Sequence, residues 1–261
     1  MGEYVWRSNA EKTGQPKKPM HEIYQIFNKR LKCVEDYAPD SILDQCKYVR
    51  LARRHHYKNY RLLFYKDIKP WGLLGSFSTY QAQFFADSGC TLGVFNTLNG
   101  IPTSIVWRAT NAKEFMNYSL VYSVYGFDLI DPHFRFHDFL VLTEGIYDAD
   151  VLRQIYPNVI ATLTSSVTVH MAEVLKLMTD RFIIAYDSDK AGNSGFEKAF
   201  KRLGNAEGDN VKKLPIFPGD KDIGEMEEKI DKAPTEFAIR YEFYKQKLDE
   251  VMNDTSGMIY L

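Results

Sequence analysis

The feature that most limits how this chain can fold is an alternation of short apolar segments and amphipathic segments after about residue 136. Apolar runs at 139–142, 159–163 and 182–186 have the length and composition of strands that are buried on both faces. The segments between them place apolar residues at helical spacing, as in 167–178. A fourth run, 214–217, contains Pro215, which indicates an edge strand or a strand end. This order predicts an α/β fold in which helices flank a parallel sheet.

The rest of the chain follows other patterns. Residues 20–66 are predicted to be mostly helical, and two β-rich runs flank Asn99-Gly100, a strong hairpin signal. A long helix is predicted over about 234–251. We therefore expect an α/β protein, α+β overall, with a flexible arm over 1–20, a basic mixed α+β subdomain over 21–136, a parallel-sheet domain over 137–222 and a helical tail over 223–261.

The net charge of −1 hides an uneven distribution. Residues 1–66 carry 14 basic and 7 acidic side chains, whereas residues 137–261 carry 15 basic and 22 acidic ones. A basic first segment is typical of contact with nucleic-acid phosphates, although such a run is about as often a solvated helix face. Tyr57 and Tyr60 in the same run offer stacking surfaces for bases. The candidate nucleic-acid-binding residues are Arg50, Arg53, Arg54, Lys58 and Arg61.

The cysteines and the N-terminus favour a protein of a reducing compartment. Cys33, Cys46 and Cys90 are too widely spaced for a zinc ribbon, so no zinc site is expected. The N-terminus has no apolar signal segment, and no apolar run approaches the roughly 18 residues of a membrane span. We expect a cytoplasmic protein without membrane contact.

Acidic side chains follow three of the predicted parallel strands. Glu144 ends the first strand and Asp148 follows one turn later, Asp187 and Asp189 follow the third, and Asp222 follows the fourth. The carboxyl ends of parallel strands meet at one edge of a sheet, where ligands bind. Carboxylates held close together repel unless a cation lies between them. Without accompanying His or Cys, the pattern predicts Mg²⁺ or Mn²⁺ rather than zinc.

An ordinary structural interpretation stands beside this one. Acids at strand–helix junctions commonly cap helix N-termini, and for any one of these acids alone that interpretation is the stronger. Three acidic clusters at three strand ends of one sheet favour a metal site for the set.

These residues carry a resemblance to a known family. The patterns strand–Glu144-Gly145-x-x-Asp148, strand–Asp187-Ser188-Asp189-x-Ala191-Gly192 and Lys221-Asp222 resemble the TOPRIM domain of bacterial-type primases, topoisomerases and some nucleases. Within TOPRIM proteins, the chain most resembles the RNA polymerase domain of bacterial and phage DnaG-like primases. Upstream, the Asn99-Gly100 hairpin followed by Arg108, and Tyr125-Gly126 before the first strand, resemble primase elements.

The resemblance implies roles for individual residues. Glu144, Asp187 and Asp189 correspond to the catalytic acids, with Glu144 a metal ligand or an acid–base group. Asp148 and Asp222 correspond to further metal-binding acids of the same site. The implied nucleotide- or phosphate-binding residues are Arg108, Lys113, Lys190 and Lys221.

The chain departs from the family pattern at several positions. Gly224 stands where the second acid of the family's closing Asp-Pro-Asp would be, with Glu225 next to it. The segment Val106-Trp107-Arg108 lacks the family's two glycines. The departure at Gly224 predicts a weaker outer metal site, or one in which Glu225 substitutes.

The resemblance implies a DNA primase catalytic core that synthesises short RNA primers on single-stranded DNA by metal-dependent nucleotidyl transfer. The expected partners are a single-stranded DNA template, ribonucleoside triphosphates, a replicative helicase and a separate zinc-domain protein, because no zinc-binding or helicase-binding domain is recognised in the chain. Such a trimmed core suits a phage or other mobile replicon in a bacterial cell.

The alternatives are a TOPRIM nuclease, which uses the same acids, and a DNA-binding accessory protein with an inactive TOPRIM fold. A topoisomerase is disfavoured by the length of the chain.

Overall fold

A computed structural model describes residues 49–50, 60–64, 90–98, 101–109, 115–119, 124–205 and 209–254. The chain divides into two compact units, Met1–Tyr122 and Ser123–Leu261, which are described separately. Within the described residues, no helix is both long enough and apolar enough to cross a membrane.

The described strands of the first unit form an antiparallel sheet in the order β1-β2-β3-β4. The hairpin prediction is confirmed, because the second and third strands pair from Leu98 and Ile101 outward. The prediction of mostly helix over 20–66 is wrong at 60–64, which pairs with β2. Its aromatic and aliphatic residues suit a pleated surface, and pairing with a neighbouring strand overrides local helical spacing. The four strands are β1 (Tyr60–Phe64), β2 (Cys90–Leu98), β3 (Ile101–Ala109) and β4 (Phe115–Ser119).

The second unit contains the predicted parallel sheet, in the order β6-β5-β7-β8. Every residue of the inner strand β5 is buried, as expected for a strand covered on both faces. The fourth strand is predicted at 214–217, but in the structure it spans Val211–Lys213. The Pro215 ring lacks an N–H for a longer ladder, although the Leu214 N–H still donates to the Ile184 carbonyl at 2.9 Å. The strands are β5 (Phe139–Thr143), β6 (Val159–Ala161), β7 (Arg181–Ala185) and β8 (Val211–Lys213).

Helices follow the strands as the apolar spacing predicts. Leu140 and Leu142 of the sheet share a core cluster with Leu175 of the second helix and with Ala199 and Leu203 of the third. Val174, predicted to lie on the buried stripe, is instead 38% exposed. The helices are α1 (Ile146–Arg153), α2 (Val169–Met178), α3 (Lys190–Leu203), α4 (Gly224–Glu228) and α5 (Pro234–Asn253), with a short 3₁₀ helix over Phe127–Leu129.

A buried polar cluster joins the start of the second unit to α1. Asp150 is fully buried; its Oδ1 accepts hydrogen bonds from the Tyr125 hydroxyl at 2.7 Å and from the Arg153 guanidinium at 2.5 Å. Arg153 also donates to the Val159 carbonyl at 2.6 Å, which ties the helix to β6. Gly126 has φ +99°, and a Cβ there would lie 2.5 Å from the Arg153 guanidinium. The Tyr125-Gly126 pair therefore has a structural role in anchoring α1, the helix that follows Glu144.

Candidate active site

The acid pair of the third parallel strand lies on the turn between β7 and α3. Asp189 is the N-cap of α3, and its Oδ1 accepts hydrogen bonds from the backbone N–H groups of Ala191 at 2.9 Å and Gly192 at 3.0 Å. The hydrogen bond from Gly192 is the main reason that the pKa of Asp189 lies below its ordinary value. Asp189 therefore caps α3 through Oδ1, as the structural interpretation predicts. Its other oxygen, Oδ2, lies near the ammonium of Lys221.

Gly192 lets the helix begin directly against the acid turn. A Cβ at this position would lie 2.8 Å from the Asp187 carbonyl carbon and closer still to its oxygen. No larger residue fits without moving the backbone that carries Asp187. The glycine of the motif is therefore required by a close backbone approach.

Glu144 lies at the carboxyl end of the neighbouring strand β5, directly before α1. Burial, and secondarily the negative charge of Asp187, raises the pKa of Glu144 to about 7, although the Asp187 backbone N–H donates to the Glu144 carboxylate. Within the described part of the chain, the buried Oε1 of Glu144 has no hydrogen-bond partner. Acids from two adjacent strand ends thus share one site, and one of their oxygens lacks a donor.

Lys221 supplies the positive charge at this site. Its Nζ lies 3.2 Å from Asp187 Oδ2 and 3.4 Å from Asp189 Oδ2. Hydrogen bonding to Asp187 is the largest cause of a raised pKa for the Lys221 ammonium. Lys221, predicted to bind phosphate, contacts the two acids directly in this structure.

A second group of acids lies around α4. The Gly224 N–H donates to Asp148 Oδ1 at 3.0 Å, and the Glu225 N–H donates to Asp222 Oδ1 at 3.2 Å. Burial raises the pKa of the Tyr244 hydroxyl, and the charges of Asp220, Asp222 and Asp148 add to that effect. Asp148 and Asp222 therefore both accept backbone hydrogen bonds at the start of α4, from two consecutive residues.

Asp220 is the acid of this region that forms a buried ion pair. Its side chain is 3% exposed and receives two hydrogen bonds from Arg240, from Nε at 2.7 Å and from Nη2 at 2.8 Å. Arg240 also stacks over the Phe217 ring at 4.5 Å. This bidentate pairing joins the loop before α4 to α5, so Asp220 has a structural role.

The side chains at this site can be compared with the ligands that a hard divalent ion requires. Among the described residues, no three carboxylate, imidazole or thiol side chains are arranged to hold one ion. The residues nevertheless fit a hard cation in two respects, since the buried Oε1 of Glu144 lacks a donor and a positive charge already lies between Asp187 and Asp189. Glu144, Asp187 and Asp189 are the residues that would bind such an ion.

The predicted basic residues occupy varied positions. Lys190 is exposed at the first turn of α3, next to Asp189. Arg108 is half-buried on β3, opposite Leu92 of β2 and Phe115 of β4. Arg50 is exposed and helical, and the backbone of Arg61 lies in β1. Arg53, Arg54, Lys58 and Lys113 lie outside the described residues.

Two residues that the sequence analysis did not single out organise the acid turn. The Ser188 N–H donates to the Lys221 carbonyl at 2.9 Å, and the Ser188 hydroxyl donates to the same oxygen at 3.1 Å. The Asn193 side-chain amide donates to the Ser188 carbonyl at 3.2 Å and accepts from Lys213 Nζ at 2.6 Å. The sequence could have indicated this role of Asn193, because an amide side chain in the first turns of a helix can reach the preceding loop.

Comparison with known proteins agrees with this architecture. Residues 141–226 match the family model described as Toprim-like. A DNA primase of Helicobacter pylori (strain ATCC 700392 / 26695) is 34% identical over 93 residues, which is 35% of this chain and 16% of the relative. The chain thus matches only a small part of that relative's length.

Two solved structures share the fold at low sequence identity. A DNA primase domain from Pseudomonas aeruginosa has a TM-score of 0.59 at 15% identity, covering 86% of this chain and 78% of that one. A DnaG primase catalytic domain bound to single-stranded DNA has a TM-score of 0.57 at 16% identity, covering 85% and 78%. Residues 141–226 are therefore similar to the Toprim-like family, and the fold resembles that of DnaG-type primase catalytic domains.

Proposed function

We propose that this protein is a DNA primase catalytic core, which joins ribonucleotides into short primers on a single-stranded DNA template. The observation that carries the proposal is the convergence of Glu144, Asp187 and Asp189 at two adjacent parallel strand ends, with a positive charge held between the aspartates. The primase relative and the primase fold support the same activity.

The proposed reaction is metal-dependent nucleotidyl transfer. A divalent ion, Mg²⁺ or Mn²⁺, would activate the attacking 3′-hydroxyl and offset the charge of the departing pyrophosphate. Asp187 and Asp189 would bind that ion, and the buried oxygen of Glu144 would be a further ligand. Asp148 and Asp222 are proposed as a weaker outer pair, because each already accepts a backbone hydrogen bond.

Glu144 has a second proposed role. Because its pKa lies near 7, its carboxyl group can hold or release a proton near neutral pH, as acid–base catalysis requires. The half-buried position of its side chain limits access of water to that proton. A bound divalent ion would favour the ionised form of this carboxylate.

The basic residues are proposed to bind substrate. Lys190 and Lys221 lie beside the acids and would contact nucleotide phosphates, and Arg108 and Lys113 are proposed for the same purpose. The template would contact Arg50, Arg53, Arg54, Lys58 and Arg61 through its phosphates. A replicative helicase and a zinc-domain protein are proposed as partners on the basis of the primase resemblance.

Primer synthesis tests this function directly. The full chain is incubated with single-stranded DNA, ribonucleoside triphosphates and Mg²⁺ or Mn²⁺, and labelled oligoribonucleotides are measured. Asp187→Asn should abolish the products, whereas Asp249→Asn, an exposed acid on α5, should leave them unchanged. Synthesis that survives Asp187→Asn contradicts the catalytic assignment.

Two other results would favour the alternative functions. Nicking of plasmid DNA with Mg²⁺ and no nucleotides would indicate a nuclease. Binding of single-stranded DNA without binding of Mn²⁺ would indicate an inactive accessory protein.

A further inference from the structure

The position of Lys221 is set by its backbone. The Lys221 carbonyl accepts hydrogen bonds from the N–H and the hydroxyl of Ser188, the residue between the two aspartates. The Lys221 N–H donates to Glu225 Oε1 at 3.0 Å, next to α4. Hydrogen bonds to the carbonyl and to the N–H of Lys221 therefore hold its backbone next to the acid turn. From this position, its side chain reaches both carboxylates.

The contacts of the ammonium match those expected of a cation bound by the acid pair. Nζ lies 3.2 Å from one Oδ2 oxygen, on Asp187, and 3.4 Å from the other, on Asp189. Because both carboxylates lie close to the same ammonium, Asp187 and Asp189 would repel each other if that positive charge were removed. Lys221 therefore relieves the same repulsion that a divalent ion would relieve.

The ammonium is also able to leave. The Lys221 side chain is 57% exposed, and its flexible four-carbon stem can carry the charge into solvent without moving the backbone. A buried or bidentate cation, such as the guanidinium of Arg240, has no such freedom. Lys221 thus combines a fixed backbone with a mobile charge.

We propose that Lys221 is an internal counter-ion, which stabilises the acid turn in the metal-free protein and is displaced when a divalent ion binds Asp187 and Asp189. This inference rests on the proposed function, because it assumes a divalent ion at these acids. The displaced ammonium would then be able to pair with a phosphate of the incoming nucleotide, the contact proposed for Lys221 above. Metal binding thereby makes a phosphate-binding charge available.

The test removes the charge while keeping the apolar stem. In the full chain, Lys221→Met is compared with wild type by thermal unfolding in EDTA and by Mn²⁺ titration followed by electron paramagnetic resonance. We expect a lower melting temperature in EDTA, because the aspartates lose their counter-ion. We also expect Mn²⁺ to bind about fivefold more tightly, the size of one partly exposed charge interaction, because no ammonium has to be displaced. Lys198→Met, which removes an exposed lysine of α3, should change neither measurement.

The outcomes separate this inference from the proposed function. Equal or weaker Mn²⁺ binding by Lys221→Met, with an unchanged melting temperature in EDTA, would overturn the counter-ion role and leave the primase proposal intact. Failure of the wild-type protein to bind Mn²⁺ would overturn both. Lys221→Arg keeps the charge and should bind Mn²⁺ like wild type; a gain in affinity equal to that of Lys221→Met would contradict the inference.

Discussion

The backbone N–H of Gly224 donates a hydrogen bond to the carboxylate of Asp148 across 76 residues of chain, at 3.0 Å. A Cβ at Gly224 would lie 2.5 Å from Cδ1 of the Tyr147 ring and 3.0 Å from Asp148 Oδ1. The residue that departs from the family's acidic pattern therefore occupies a place without room for a side chain. Glu225, the neighbouring acid, directs its carboxylate to the backbone N–H of Lys221.

Restoring an acid at position 224 should destabilise the protein. Gly224→Asp forces the Tyr147 ring to move and brings a second charge next to Asp148, so we expect a loss of about 2 kcal/mol in the free energy of unfolding. Urea denaturation measures this loss. Glu242→Ala, at an exposed position on α5, should stay within about 0.5 kcal/mol of wild type. A Gly224→Asp variant as stable as wild type would show that the ring has space to yield.

Breaking the ion pair between Asp220 and Arg240 should unfold the protein more readily without affecting metal binding. Asp220→Asn removes the bidentate partner of an arginine side chain that is 11% exposed and leaves it only the more distant Glu236 carboxylate, at 3.4 Å from Nη1, at a cost of about 2 kcal/mol. Thermal or urea unfolding gives the stability, and Mn²⁺ titration gives the affinity. Asp187→Asn is the matched comparison and should show the opposite pattern, with stability retained and affinity lost. A large loss of Mn²⁺ affinity in Asp220→Asn would place Asp220 among the metal ligands.

The stability of the metal-free protein should depend on pH through Glu144. The pKa of Glu144 is raised from 4.5 to about 7 by folding, so the folded state binds more protons in this window, and stability falls as pH rises from about 4.5 to above 7. Water reaches part of this side chain, which reduces the expected difference to about 1 kcal/mol. Urea unfolding in EDTA at pH 5 and pH 8 measures the slope. Glu144→Gln should flatten it and be the more stable protein at pH 8; identical slopes in the two proteins would refute the raised pKa.

Removing the two hydrogen-bond donors of the buried Asp150 should lower the stability of the protein by different amounts. Arg153→Met leaves a fully buried carboxylate without its positive partner and should cost about 3 kcal/mol. Tyr125→Phe removes one hydrogen bond to the same oxygen and should cost about 1 kcal/mol. Urea denaturation of both variants, with the exposed Lys176→Met on α2 as a control, tests the order. Equal costs for the two variants would mean that the charge of Arg153 adds nothing to the hydrogen bonds.

The sequence alone determined the parallel sheet and the position of its acids at the carboxyl ends of the strands. Apolar runs such as 139–142 and the helical spacing of 167–178 are local patterns, and they imply the elements and a parallel sheet, but not the order of its strands. Once the order is known, Glu144 and Asp187 must come together, because the carboxyl ends of adjacent parallel strands lie at one edge. The family resemblance rested on these same positions.

Only the tertiary structure decided which partner each charge has. Lys221 could equally have faced solvent, and Asp220 stands two residues from Asp222 yet pairs with Arg240, 20 residues away. The strand at Tyr60–Phe64 likewise depends on pairing with β2 rather than on its own spacing. Such contacts arise from packing between segments distant in sequence, where ion pairing, desolvation and steric fit act together, and no local pattern records them.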